Sequence, residues 1–127
     1  MKLEVGQFVR FKDKRNITYI RKIREIPQDN RYASIYLDKE ANYSKGLSLK
    51  NIIKASYNII DILEVGDYVN GMEVTRISGT RYDKNDLHCY CEHNGNENWQ
   101  QVMIPVKNIK SIVTKEQFEE ISYKIKE

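Results

Sequence analysis

The strongest constraint on this chain is an internal duplication. Leu3-Glu4-Val5-Gly6-Gln7-Phe8-Val9 returns as Leu63-Glu64-Val65-Gly66-Asp67-Tyr68-Val69, and Ile20-Arg21-Lys22-Ile23 returns as Val74-Thr75-Arg76-Ile77. Leu49-Lys50-Asn51-Ile52 then pairs with Val106-Lys107-Asn108-Ile109. Three matches in the same order define a period of about 55 to 60 residues, too long for a solenoid unit and suited to one small barrel. The chain therefore reads as two tandem barrels, residues 1–60 and 61–127.

Each half alone sits near the lower limit for independent folding, because a domain of about 60 residues buries only about 60% of its unfolded-chain surface. The halves are thus expected to share an interface. Nine tyrosines, three phenylalanines and Trp99 exceed what two tiny cores can hide, so some aromatics should line a seam or a binding face. The join Asn58-Ile59-Ile60-Asp61-Ile62-Leu63-Glu64 has no glycine, proline or serine-rich stretch, and a connection this apolar should be ordered and buried. The groove between two barrels held in a fixed orientation is then a candidate site.

A net charge of +3 from 21 basic and 18 acidic side chains falls short of the dense basic stripe of a dedicated nucleic-acid binder. No signal peptide or long apolar run is present, and the two cysteines, Cys89 and Cys91, are one residue apart on an expected strand. Their Cα atoms would lie roughly 6.5 to 7 Å apart, which strains a disulfide between them. These features suit a soluble protein of a reducing cytoplasm, with no membrane partner.

Short alternating runs of β-branched and aromatic residues make the chain mainly β. The first copy is predicted to form strands near Phe8–Phe11, Ile17–Ile26, Tyr32–Leu37, Leu47–Ile53 and Ile59–Leu63. The second offers Tyr68–Asn70, Met72–Ile77, Asp86–His93, Trp99–Val106 and Ser122–Ile125. Five short strands per copy is the count of an SH3-like barrel, and the Val-Gly-Asp-Tyr-Val opening resembles the first strand of SH3-like and KOW-type barrels, where glycine lets the chain bend. Asn94-Gly95 is a hairpin signal, since both residues accept positive φ. Thr114-Lys115-Glu116-Gln117 is a capping box, so a short helix near the C-terminus should start at Lys115 with Phe118 turned inward.

His88-Cys89-Tyr90-Cys91-Glu92-His93 is the cluster that most looks like a site. Strand alternation, however, puts Cys89, Cys91 and His93 in a row about 7 Å apart on one face, with His88 and Glu92 on the other. Atoms around one tetrahedral zinc lie within about 4 Å of each other, so no metal is expected and the cysteines read as small core side chains. A Gly-rich phosphate loop, a nucleophile elbow and a paired-carboxylate motif are all missing from the sequence. No catalytic residue and no cofactor is assigned. Basic and aromatic residues gather in expected loops and strand entries instead: Arg15, Arg31, Tyr43, Arg81, Tyr82 and Trp99. Arginine beside aromatic rings suits protein hot spots and stacked nucleotides alike, and these residues form the predicted binding face.

The stretch Lys54–Gly71, with Ile109–Phe118 and the closing Tyr-Lys-Ile, resembles small phage and prophage accessory proteins of Gram-positive bacteria. Those proteins usually carry proline where this chain has Tyr57, a difference in a turn. The resemblance implies no catalytic residues. It implies a phage or prophage protein acting in the cytoplasm of a bacterial host, and proteins of this size and setting often inhibit host defence. The expected function is a noncatalytic binding protein that either covers a host defence protein, as anti-CRISPR proteins do, or sequesters a nucleotide second messenger. The alternative is a nucleic-acid-binding accessory protein of phage replication or transcription, by fold analogy with KOW-like barrels. A homo-oligomer stays open.

Overall fold

The structure, a computed structural model, describes residues 2–28, 34–38, 47–78, 87–95 and 98–121, with backbone alone for Ser34, 93–95 and 98–100. It divides into two units, Met1–Ile62 and Leu63–Glu127. In the first, β1 (Phe8–Lys12), β2 (Thr18–Glu25), β3 (Ser34–Leu37) and β4 (Leu47–Ser48) lead through a 3-10 turn, Leu49–Asn51, into β5 (Ile52–Ser56) and α1 (Ile59–Ile62). In the second, β6 (Tyr68–Val69), β7 (Met72–Ser78), β8 (His88–Gly95) and β9 (Asn98–Pro105) lead through Val106–Asn108, again a 3-10 turn, into β10 (Ile112–Val113) and α2 (Lys115–Ile121). The sheets run β4-β3-β2-β1-β5 and β10-β6-β7-β8-β9, antiparallel throughout. Counted from its own first strand, each unit has the same order: fourth, third, second, first, fifth.

The duplicated opening motif is a duplicated turn. The Gln7 N–H donates to the Glu4 carbonyl at 3.2 Å, and that of Asp67 to Glu64 at 3.1 Å. Between them Gly6 and Gly66 stand at φ 95° and 101°, a region closed to most side chains. The fourth residue of each turn also accepts at its side chain from the first: Gln7 Oε1 from the Glu4 N–H at 2.8 Å, Asp67 Oδ2 from the Glu64 N–H at 2.9 Å. Each turn is then joined to the second strand of its unit. Gly6 donates to Ile23 O and Ile23 to Gln7 O in one, Gly66 to Val74 O and Val74 to Asp67 O in the other.

The first unit closes over Val9, Phe11, Ile23, Ile35, Leu37 and Leu47. Phe11 lies opposite Tyr19, and the two rings stack at 5.9 Å. Arg10 points the other way from Val9 and Phe11, is 4% exposed, and donates from Nη1 to the Ile62 carbonyl at 3.3 Å. A cation thereby meets the C-terminal carbonyl end of α1. In the second unit Val74 pairs with Cys91 and Cys89 with Ile104, all four side chains buried.

Several elements differ from the sequence-based expectation. Ile59–Leu63, expected as a strand, is α1 over Ile59–Ile62. Periodicity does not separate helix from strand in so short an apolar run, and here Ser56 turns the chain: its hydroxyl accepts from the Asn58 N–H at 3.0 Å and donates to Asp61 Oδ2 at 2.8 Å. Leu47–Ile53 is not one strand, because the 3-10 turn capped by Ser48 interrupts it. The fifth strand of the second unit is Ile112–Val113, ahead of the C-terminal helix; the expected strand Ser122–Ile125 lies outside the described residues. Asn94 and Gly95, expected as a hairpin turn, belong to β8 and pair with Trp99 and Asn98; residues 96 and 97 lie outside the described residues. The helix does start at Lys115 with the reciprocal bonds of a capping box, Gln117 N to Thr114 Oγ1 at 3.1 Å and Thr114 N to Gln117 Oε1 at 3.2 Å. Phe118 is not turned inward: it is 40% exposed and stacks on Tyr68 with ring centres 4.0 Å apart. No helix among the described residues is long and apolar enough to cross a membrane.

Candidate functional site

Of the binding residues predicted from sequence, Arg31, Tyr43, Arg81 and Tyr82 lie outside the described residues. Trp99 is placed on β9, opposite Asn94, by its backbone. Arg15 lies in the β1–β2 turn, where Asp13 organises the chain by accepting from the Arg15 and Ile17 N–H groups, each at 2.9 Å. The Arg15 guanidinium reaches Asp13 Oδ2 at 3.2 Å and the Tyr19 hydroxyl at 2.8 Å. Partial burial pushes the Asp13 carboxyl up, but the two backbone N–H groups and the guanidinium outweigh it and leave the pKa below its ordinary value. Arg15 is therefore engaged as a brace of its own turn.

The best-formed constellation is on the second unit, on the face of the sheet opposite Val74, Cys89, Cys91 and Ile104. Alternation along β8 puts His88, Tyr90 and Glu92 on this face, with the intervening cysteines buried. Met103 of β9 lies directly across from Tyr90 and is 53% exposed. Arg76 reaches the same face through a β-bulge. Val74 pairs with Cys91 but Arg76, two residues on, pairs with Tyr90, so Thr75 is the extra residue and bonds from Oγ1 to the Tyr90 carbonyl at 3.2 Å. The Arg76 guanidinium then sits 4.1 Å from the Tyr90 ring centre, and the His88 ring meets Tyr90 edge-on at 5.1 Å.

This cation–π contact is tighter than those of the first unit, where Arg21 over Tyr19, Lys22 over Phe8 and Arg24 over Tyr36 lie at 5.5, 5.6 and 5.9 Å. At an exposed site the attraction is worth about 0.5–1 kcal/mol. Its larger effect is to hold the guanidinium in place, with its N–H fork available to a carboxylate or phosphate at less entropic cost. One step along the face, Glu73 and Glu92 lie directly opposite each other, with Gln101 beyond. The face is thus polarised, cationic and aromatic at Arg76–Tyr90 and anionic at Glu73–Glu92.

Beneath it, Cys89 and Cys91 are free thiols with sulfurs 3.9 Å apart, both fully buried. Burial pushes both thiols up, Cys91 to about 12, so neither is a nucleophile at neutral pH. Among the described residues no group of three His, Cys, Asp or Glu side chains is placed to hold a metal. The outward row His88, Tyr90, Glu92 was readable from period-two alternation, yet sequence reasoning passed over Tyr90 and Met103 as site residues. Arg76 carried no such signal, since strict alternation from the buried Val74 turns it inward. No protein-family model, no curated protein and no solved structure matches the chain.

Proposed function

We propose that this chain is a noncatalytic binding protein of two SH3-like barrels, recognising a host defence protein through the open face of its second unit and thereby blocking it. The barrel reading is supported by the strand order common to both units and by the 3-10 turn between fourth and fifth strands in each. The observation that carries the binding reading is the Arg76–Tyr90 stack flanked by His88 and Met103, because Arg, aromatic and Met side chains are those that anchor protein interfaces. The facing pair Glu73 and Glu92 favours a protein partner with charges of both signs over a nucleotide second messenger or a nucleic acid, whose phosphates the carboxylates would repel. The phage or prophage setting, and with it the cytoplasm of a bacterial host, rests on the resemblance of residues 54–71 and 109–118.

The test is affinity capture from a Gram-positive host lysate with the wild-type chain and with Arg76→Ala/Tyr90→Ala. A host protein held by the wild type and lost by the double variant, at an unchanged melting temperature, is the expected result. Capture that the double variant leaves intact refutes the site. Excess 260 nm absorbance with a nucleotide mass in the purified protein would instead favour a messenger sponge.

A further inference from the structure

We infer that β9 is a self-pairing edge: two copies of this chain join antiparallel through β9, about a twofold axis at Gln101, and the two second-unit sheets continue as one. This goes beyond the partner reading above and does not depend on it. A strand at the edge of a sheet presents a row of N–H and C=O groups that templates another strand, and proteins blunt such edges by shortness, charge, proline or cover. The other three edges are blunted. β4 and β10 have two residues each, and β5 carries Lys54. β9 is eight residues long, Asn-Trp-Gln-Gln-Val-Met-Ile-Pro, without one charged side chain, and among the described residues it pairs with β8 alone.

Which groups face outward follows from the ladder. The Val106 N–H donates to the Leu87 carbonyl at 3.1 Å, and from that pair the alternation of an antiparallel ladder runs back through the hairpin. Ile104, Val102, Gln100 and Asn98 exchange bonds with Cys89, Cys91, His93 and Gly95. Met103, Gln101 and Trp99 lie in the intervening pairs, so their N–H and C=O groups point away from β8.

An antiparallel copy centred on Gln101 sets Gln101 against Gln101 and Trp99 against Met103, so that each of these outward groups finds a partner. Shifting the axis to Val102 would set Trp99 against Pro105, which has no N–H to give. Pro105 therefore ends the ladder and excludes that register. Because the strand carries no charge, no like charges within it oppose each other on pairing. The twofold arrangement closes on itself, so the product is a dimer rather than a fibre.

The test uses the full chain in sedimentation equilibrium over a concentration series, with amide hydrogen exchange at its two ends. Association to a dimer is expected, with exchange at Gln101 and Met103 slowing as concentration rises while Val102 and Ile104 are protected throughout. Met103→Pro removes an outward N–H and no β8–β9 bond, and should weaken dimerisation more than tenfold. Gln101→Lys sets like charges against one another across the axis at an exposed position, and should do the same if the proline variant fails to fold. A chain that stays monomeric at NMR concentrations, or a dimer that a folded Met103→Pro or Gln101→Lys leaves intact, overturns the proposal.

Discussion

Replacing Gly66 with alanine isolates the duplicated turn from everything packed around it. An ideal Cβ on Gly66 would sit 3.5 Å from Lys115 Cδ, and one on Gly6 would sit 3.5 Å from Tyr57 Cε1, both ordinary van der Waals distances. Sterics with neighbours therefore contribute little, and the cost is that of holding an L-residue at φ 101° or 95°. Sparsely populated backbone conformations cost about 1–3 kcal/mol. The loss of unfolded-chain freedom on going from glycine to alanine returns about 0.4–1 kcal/mol. The net destabilisation is about 1–2 kcal/mol at either glycine, and the two values should agree because the two turns share φ, hydrogen bonds and attachment to the second strand. Asparagine, which tolerates positive φ better than alanine, should cost less at both positions. Urea unfolding followed by circular dichroism, with the m-value compared between variants, gives these differences. Losses under about 0.3 kcal/mol, or alanine outperforming asparagine, would refute the argument that backbone conformation is what the repeat preserves.

Thr114→Ala removes the side-chain acceptor for the Gln117 N–H and should cost about 1 kcal/mol, seen as an unfolding shift with the sheet spectrum retained. At pH 8 a disulfide reagent should label neither Cys89 nor Cys91 until denaturant is added; prompt labelling of the native chain would contradict their burial. Burial keeps the Cys91 thiol protonated to about pH 12 in the folded chain, whereas an unfolded thiol ionises near about 8.5. Its contribution is whole below the unfolded value and is lost as pH rises toward the folded one, so wild-type stability should fall more steeply between pH 8.5 and 10.5 than that of Cys91→Ala.

Much of the architecture was legible because duplication and alternation are properties of the chain itself. The Glu-Val-Gly motif demanded a glycine turn at the head of each copy, and the Thr114–Gln117 capping box marked the start of α2, since both depend on bonds between residues three apart. The short apolar runs were not legible. Ile59–Ile62 satisfies the composition of a strand, and the Ser56 hydroxyl bonds that divert it into a helix are visible only once the chain has turned.

The sequence by itself determined that there are two β-rich copies, that each opens on a glycine turn, and that His88, Tyr90 and Glu92 share a face opposite the cysteines. What the tertiary structure decided is that Arg76 belongs with them. A strand has a side-chain period of two, so one inserted residue reverses the face of everything beyond it. Thr75 is that residue, and its bond to the Tyr90 carbonyl exists only after β7 and β8 have paired. The cation of the candidate site is thus set by the register between two strands, a relation that no local pattern of residues encodes.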